Sequence, residues 1–188
     1  MYNNPGIIIQ ARLTSNRFPN KVLEEVLGKK VIDRIIEVCI KSNLPFVIAI
    51  PETPENDPLE EYLKNILSQK YQTNAWDRFN PLIFRGKEQD VLTRFIDVNK
   101  ITKFDPIIRI CADSPFLDLE DIKLGLELFM KRDKFVMLNH VQVFSQEALN
   151  RANEDDLRME SREHVVRTMF KTVEYPEDIR ILDIRGPN

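Results

Sequence analysis

Two periodicities alternate along the chain. Short uninterrupted apolar runs at Gly6 to Ile9, Phe46 to Ile50, Leu82 to Phe84, Pro106 to Cys111 and Lys134 to Leu138 have the length of buried strands. Between them, apolar residues recur at helical spacing. Val31, Ile32, Ile35, Ile36, Cys39 and Ile40 form one stripe, and Leu59, Tyr62, Leu63, Ile66 and Leu67 a second. Val91, Leu92, Phe95, Ile96 and Val98 form a third, and Ile122, Leu124, Leu126, Leu128 and Phe129 a fourth. Strands that are apolar throughout, rather than alternating, and that are separated by helices predict parallel pairing with both faces covered. The pattern is that of an α/β sandwich with a mostly parallel sheet.

In open sheets of this kind, ligands bind outside the carboxyl ends of the strands. The polar segments expected there are the loop after the first strand, Pro51 to Asp57 after the second, Arg85 and Gly86 after the third, and Ala112 to Asp118 after the fourth. From Asn139 to Glu160 the pattern loosens, and VQVFSQEALNRA suggests a short strand and helix before the acidic stretch Glu154 to Asp156. This segment reads as an insertion. No internal repeat or Pro- or Gly-rich linker divides the chain, so its 188 residues are expected to form a single domain.

Composition narrows the function classes. The chain is 43% hydrophobic and 30% charged, and no apolar run approaches the roughly 20 residues that span a bilayer. The amino terminus has no basic region followed by an apolar stretch and a cleavage site, so a cytoplasmic location is expected. A net charge of -3 with both signs scattered argues against nucleic acid, where a basic face dominates affinity. Cys39 and Cys111 sit among apolar neighbours and are expected as free thiols. With no paired cysteines, His140 and His164 cannot make the usual structural zinc site, whereas a carboxylate-bound cation such as Mg²⁺ stays open.

The candidate chemistry begins in IIIQARLTSNRFPNK, Ile7 to Lys21, where branched apolar residues open into a loop bearing Arg12, Thr14, Ser15, Arg17 and Lys21. Guanidinium forks bind phosphate oxygens bidentately, lysine adds a point charge, and hydroxyls and backbone N–H groups fill the remaining acceptors. Decoration of an exposed turn is the alternative reading. The five glycines are dispersed, which excludes both the Walker loop and the glycine fingerprint of dinucleotide folds. Any phosphate here is held by side chains.

Four motifs in register extend this reading. IIIQARLTSNRFPNKVL, FRGKEQDVLTRF from Phe84, IIRICADSPFLD from Ile107 and SREHV from Ser161 resemble the successive motifs of the cytidylyltransferases that activate sugar acids, and most closely the branch named for spore coat polysaccharide biosynthesis protein F. The resemblance covers roughly Ile7 to Val165. It implies a three-layer, Rossmann-like nucleotide-diphosphosugar transferase fold, CTP as substrate, Mg²⁺ as cofactor, and transfer of CMP to a sugar acid with release of pyrophosphate for cell-surface polysaccharide biosynthesis. It further implies that Arg12, Ser15, Arg17 and Lys21 hold the triphosphate and that Asp113 holds the metal. Arg12, Lys21 and Asp113 would thus carry the catalysis. Arg85 and Asp90 fall beside the nucleotide pocket, although Asp90 is also well placed to cap the helix that starts there. Glu163 and His164 fall near the acceptor sugar, with a surface helix pairing Glu163 and Arg167 as the alternative. Homodimerisation through Asn139 to Glu160 is implied by resemblance alone.

The sequence departs from that family pattern in two places. Ala112 stands where the family usually has glycine. A second acidic motif, roughly VDTPEDL, usually completes the metal site, and here VEYPEDI, Val173 to Ile179, carries Glu174 at its acidic position and follows unusually soon. The preferred register instead makes Ile179 to Ile184 an ordinary strand ahead of a missing carboxyl-terminal segment. A chain lacking that carboxylate would be a non-catalytic CTP or nucleotide-sugar binding module, the alternative to an enzyme.

Overall fold

A computed structural model describes residues 4–15, 18–70, 83–132 and 135–155, with Arg162 and Val165. Its centre is a six-stranded sheet in the order β5-β4-β1-β6-β8-β7. The strands are β1 (Gly6–Gln10), β4 (Phe46–Pro51), β5 (Ile83–Gly86), β6 (Ile107–Cys111), β7 (Val136–Met137) and β8 (Val141–Phe144). β5, β4, β1 and β6 are parallel, while β8 runs antiparallel to both β6 and β7. Ile7, Ile8 and Ile9 are wholly buried, as expected of a strand covered on both faces.

Among the described residues five helices cover the sheet: α1 (Val31–Lys41), α2 (Asp57–Lys70), α3 (Val91–Thr102), α4 (Leu119–Arg132) and α5 (Gln146–Asp155). The core is divided by the sheet. One cluster packs α1, α2 and α4 against Ile7, Ile9, Ile48, Ile108 and Ile110. The other packs α3 and α5 against Ile8, Val47, Ala49, Ile107 and Phe144. Successive strand residues therefore serve opposite layers, and the expected three-layer, mostly parallel α/β fold is present.

Close approach depends on two glycines. A Cβ on Gly6 would lie 2.3 Å from ring carbons of Phe104, and one on Gly125 would lie 3.2 Å from Val141 and Val143 methyls. Gly125 lets α4 sit directly on β8. The α4 stripe differs accordingly from its sequence reading: Ile122 and Phe129 are buried, whereas Leu124 is exposed. Leu124 lies one position from Gly125, so it points off the contact line that the glycine defines.

Three further features have local causes. Arg85 and Gly86 are strand rather than loop residues, paired with Ile50 and Pro51. The short strand and helix expected within Asn139 to Glu160 are β8, which lies inside the sheet and pairs antiparallel with β6, and α5, which packs on the α3 side. Between β1 and α1 the chain makes a small hairpin, β2 (Glu25–Val26) and β3 (Lys29–Lys30), whose turn residues Leu27 and Gly28 both have positive φ.

Candidate functional site

The sheet order reverses between β1 and β6, because the chain moves from β1 outward through β4 and β5 and then returns to β6 on the other side. The crevice at such a reversal is where ligands bind in doubly wound sheets. Gln10 and Cys111, the last residues of the two strands, are register partners. The loops that leave them meet directly. Lys21 Nζ, from the loop after β1, pairs with a carboxylate oxygen of Asp113, three positions past Ile110, although 92 residues separate them in sequence. Both side chains keep solvent access, 31% for Lys21 and 40% for Asp113, so an incoming charged ligand can reach either.

The loop after β1 is held from three sides. The buried Asn56 side chain accepts from Leu13 N at 2.9 Å and donates to Thr53 Oγ1 at 3.1 Å, tying the loop to the segment after β4. Thr14 donates its hydroxyl to the Glu88 carboxylate, tying it to the segment after β5. Asn20 closes it with a backbone bond to Leu13 O at 3.0 Å, in a left-handed conformation that Asn tolerates. Ser15 Oγ accepts from Phe18 N at 3.5 Å, inside the same loop.

Arg94 supports the segment after β5 from below. Only 1% exposed, it donates to Lys87 O at 2.8 Å and Glu88 O at 2.9 Å, with a longer contact of 3.5 Å to Ala49 O. Burial, helped by the nearby positive charge of Arg12, pulls its guanidinium down to about 10, so it stays charged at neutral pH. Neither Asn56 nor Arg94 was singled out in the sequence. The available signal for Arg94 was a cation inside the otherwise apolar stripe from Val91 to Val98.

The remaining predicted residues divide. Arg12 lies at the same edge, close enough for its charge to act on Arg94 and Cys111. Arg85 is turned toward the start of α2, where Nη1 meets Asp57 and Glu60 at 2.6 Å and Nη2 donates to Thr53 O at 2.9 Å. It braces the start of α2 and is not brought to the Lys21–Asp113 pair. Asp90 caps α3: Oδ1 accepts from Thr93 N at 3.0 Å and Oδ2 from Thr93 Oγ1 at 2.8 Å. The same carboxylate receives Arg162 Nε at 3.0 Å, and Arg162 also donates to Thr93 Oγ1 at 2.7 Å and Asn153 Oδ1 at 2.9 Å. Burial works to raise the Asp90 pKa, but the bonds from Thr93 and Arg162 prevail and hold it below the ordinary carboxylate range. Arg17, Glu163, His164 and both carboxyl-terminal registers, Val173 to Ile179 and Ile179 to Ile184, lie outside the described residues.

A doubly wound sheet with charged loops gathered at its switch point defines an α/β architecture whose ligand crevice lies at that edge. The chain belongs to the cytidylyltransferase family, whose sequence model matches residues 6–50 and 72–167. It is 29% identical over 172 residues to an uncharacterized protein of Methanocaldococcus jannaschii, covering 87% of this chain and 66% of that one. It is 30% identical over 145 residues to the spore coat polysaccharide biosynthesis protein SpsF of Bacillus subtilis, covering 73% and 55%. It is also 25% identical over 136 residues to the 3-deoxy-manno-octulosonate cytidylyltransferase of Francisella tularensis subsp. novicida, covering 71% and 49%. The chain thus spans about half to two thirds of the length of these curated relatives. Among solved structures, a cytidylyltransferase from Leptospira borgpetersenii aligns with a TM-score of 0.74 at 22% identity, over 90% of this chain and 71% of that one. CMP:2-keto-3-deoxy-manno-octonic acid synthetase, solved with CTP, aligns at 0.58 and 13% identity, over 90% and 86%. These likenesses concern the fold.

Proposed function

We propose that the chain transfers CMP from CTP to a sugar acid, releasing pyrophosphate, in the making of a cell-surface polysaccharide. The observation that carries this is the pairing of Lys21 with Asp113 across the switch point, because it brings together a cation of the kind that binds phosphate and a carboxylate of the kind that binds a metal ion. The family and its sugar-acid-activating relatives support the substrate class.

In this reading Arg12, Ser15, Arg17 and Lys21 hold the triphosphate. Lys21 exchanges Asp113 for a β- or γ-phosphate oxygen when CTP enters, and its charge then stabilises the leaving pyrophosphate. Asn56 and the Thr14–Glu88 bond keep the loop in shape before CTP arrives, which lowers the ordering cost of binding. The acceptor hydroxyl is aligned opposite the leaving group by the polar edge of the sheet, and Glu163 and His164 are proposed to contribute to that side.

Mg²⁺ fits these residues in one way. Among the described residues no group of three or more His, Cys, Asp or Glu is arranged to hold a metal. Mg²⁺ typically needs only one or two carboxylates, with substrate phosphates and water supplying the rest, and Asp113 is a solvent-accessible carboxylate already facing a cation. Asp113 would hold the ion, which when bound would neutralise charge on the phosphates.

Calorimetric titration with CTP, with and without Mg²⁺ and against ATP, GTP and UTP, tests the reading together with an assay for pyrophosphate release. CTP-selective, Mg²⁺-strengthened binding and turnover are expected, with turnover abolished in Asp113→Asn while the fold is retained. Mg²⁺-insensitive binding without turnover would replace an enzyme with a non-catalytic nucleotide-binding module. No nucleotide binding would refute both.

A further inference from the structure

On the α3/α5 face, the strands change character along their length. At the amino-terminal ends of β1 and β6 this face is apolar and wholly buried, with Ile8 and Ile107 at 0% exposure beside Phe144 of β8. Toward the switch point it becomes polar and half-buried, with Gln10 on β1, Arg109 and Cys111 on β6, and Gln142 on β8. Arg109 pairs in register with Gln142, and Met137, opposite Gln142 on β7, is 44% exposed. The helices therefore leave part of this face accessible.

Arg109 sits between the two glutamines. Its Nε and Nη2 donate to Gln10 Oε1 at 3.2 and 2.8 Å, and its Nη1 donates to Gln142 Oε1. A guanidinium has five N–H donors and no acceptor. Three are used here, leaving one on each terminal nitrogen. Because both glutamines turn their oxygens to Arg109, their amide NH₂ groups are presented elsewhere, and among the described residues neither is engaged. No carboxylate among those residues neutralises Arg109. The row is consequently rich in donors, positively charged and short of acceptors.

It is also continuous with the proposed reaction centre. Cys111, the last residue of β6, lies two residues beyond Arg109 on the same face, and the turn that bears Asp113 follows it directly. The charges of Arg109, Asp113, Lys21 and Arg12 all act on the Cys111 thiol.

We infer that the Gln10–Arg109–Gln142 row is an acceptor subsite in which Arg109 reads an anionic group, a carboxylate, on the sugar. This rests on the cytidylyl-transfer reading and specifies the acceptor that it requires. A carboxylate presents two acceptor oxygens to the two unfilled guanidinium donors and displaces no partner already in place. A neutral sugar would leave the charge unanswered.

The test separates the two claims. CTP affinity is measured first, by calorimetry, on the wild-type chain and on Arg109→Gln, Arg109→Lys and Gln142→Glu. Pyrophosphate release is then measured with 3-deoxy-manno-octulosonate, N-acetylneuraminate, their methyl esters and neutral hexoses. Equal CTP affinity in all four proteins is expected. With the acid substrate, Arg109→Gln should raise KM by about 10- to 100-fold with little change in kcat, the scale of a lost charge-assisted pair that binds ground state and transition state alike. Arg109→Lys should recover part of the loss. Gln142→Glu should also raise KM, by placing a competing carboxylate against Arg109. Esters and hexoses used as well as acids, or unchanged KM in Arg109→Gln, would overturn the inference while leaving cytidylyl transfer intact. Absence of CTP binding would overturn the reading beneath it.

Discussion

Replacing Asp90 by asparagine separates two roles that its position allows. The carboxylate side chain is 10% exposed and that of Arg162 is 9%, so the pair is buried enough that screening by water is slight. Asparagine retains an oxygen for the Thr93 amide, and the cap survives in neutral form. What disappears is the charge facing Arg162. Breaking a buried ion pair costs about 3–5 kcal/mol when the survivor is left uncompensated. Arg162 keeps Thr93 and Asn153 as neutral acceptors, at 2.7 and 2.9 Å, which reduces the loss to about 2–3 kcal/mol. Asp90→Ala also removes the cap, worth about 1 kcal/mol, for about 3–4 kcal/mol in all. Chemical denaturation of both variants, with Arg162→Gln and the double variant completing a cycle, measures these values, and a coupling near ~2 kcal/mol is expected. The pH dependence has a defined sign. Since the folded pKa is depressed, the stabilisation is complete above the unfolded carboxylate value of about 3.9 and is lost as pH falls through the folded value. The gap between wild type and Asp90→Asn should be constant from pH 7 to about 5 and close in stronger acid. A variant as stable as wild type that has lost CTP binding would refute the structural account of Asp90 and return it to the nucleotide.

Other substitutions probe the packing and the edge of the sheet. Gly6→Ala places a methyl 2.3 Å from the Phe104 ring and should destabilise by about 1–3 kcal/mol in urea unfolding, with recovery when Phe104 is shortened to Leu; an unaffected midpoint would contradict the close packing. Burial raises the thiol pKa of both Cys39 and Cys111. The folded chain should therefore react slowly with a disulfide reagent at pH 8, and both thiols should react promptly in guanidinium, as followed by absorbance. Lys21→Ala should weaken CTP binding by about 1.5–3 kcal/mol in calorimetry without lowering stability comparably, since its partner Asp113 is accessible to water.

Much of the fold was legible because its strands are uniformly apolar and its helices carry clear stripes. β1, β4 and β6 and all of the first three helices are where those patterns put them. The short strand and helix suggested by VQVFSQEALNRA are β8 and α5, but the place of β8 between β6 and β7 is set by pairing with β6, distant in sequence, which four residues do not encode. Lys21 and Asp113 could be nominated from two separate loops, but their meeting depends on the β1–β6 register, which no local signal contains. Arg85 reads as a loop residue because it is a cation beside a glycine, whereas pairing with Ile50 makes it part of β5 and turns it toward α2. Asp90 was ambiguous for a physical reason: a helix cap and a ligand contact ask for the same side chain.

β6 shows how such a protein can change its habits without losing its shape. Ile108 and Ile110 face the core that holds α1, α2 and α4, while Arg109 and Cys111 face the accessible edge. Two texts are interleaved letter by letter in five residues. The even-numbered letters are constrained by crowding and the later odd ones by what enters from solvent, so a lineage can rewrite the second text while the first remains readable.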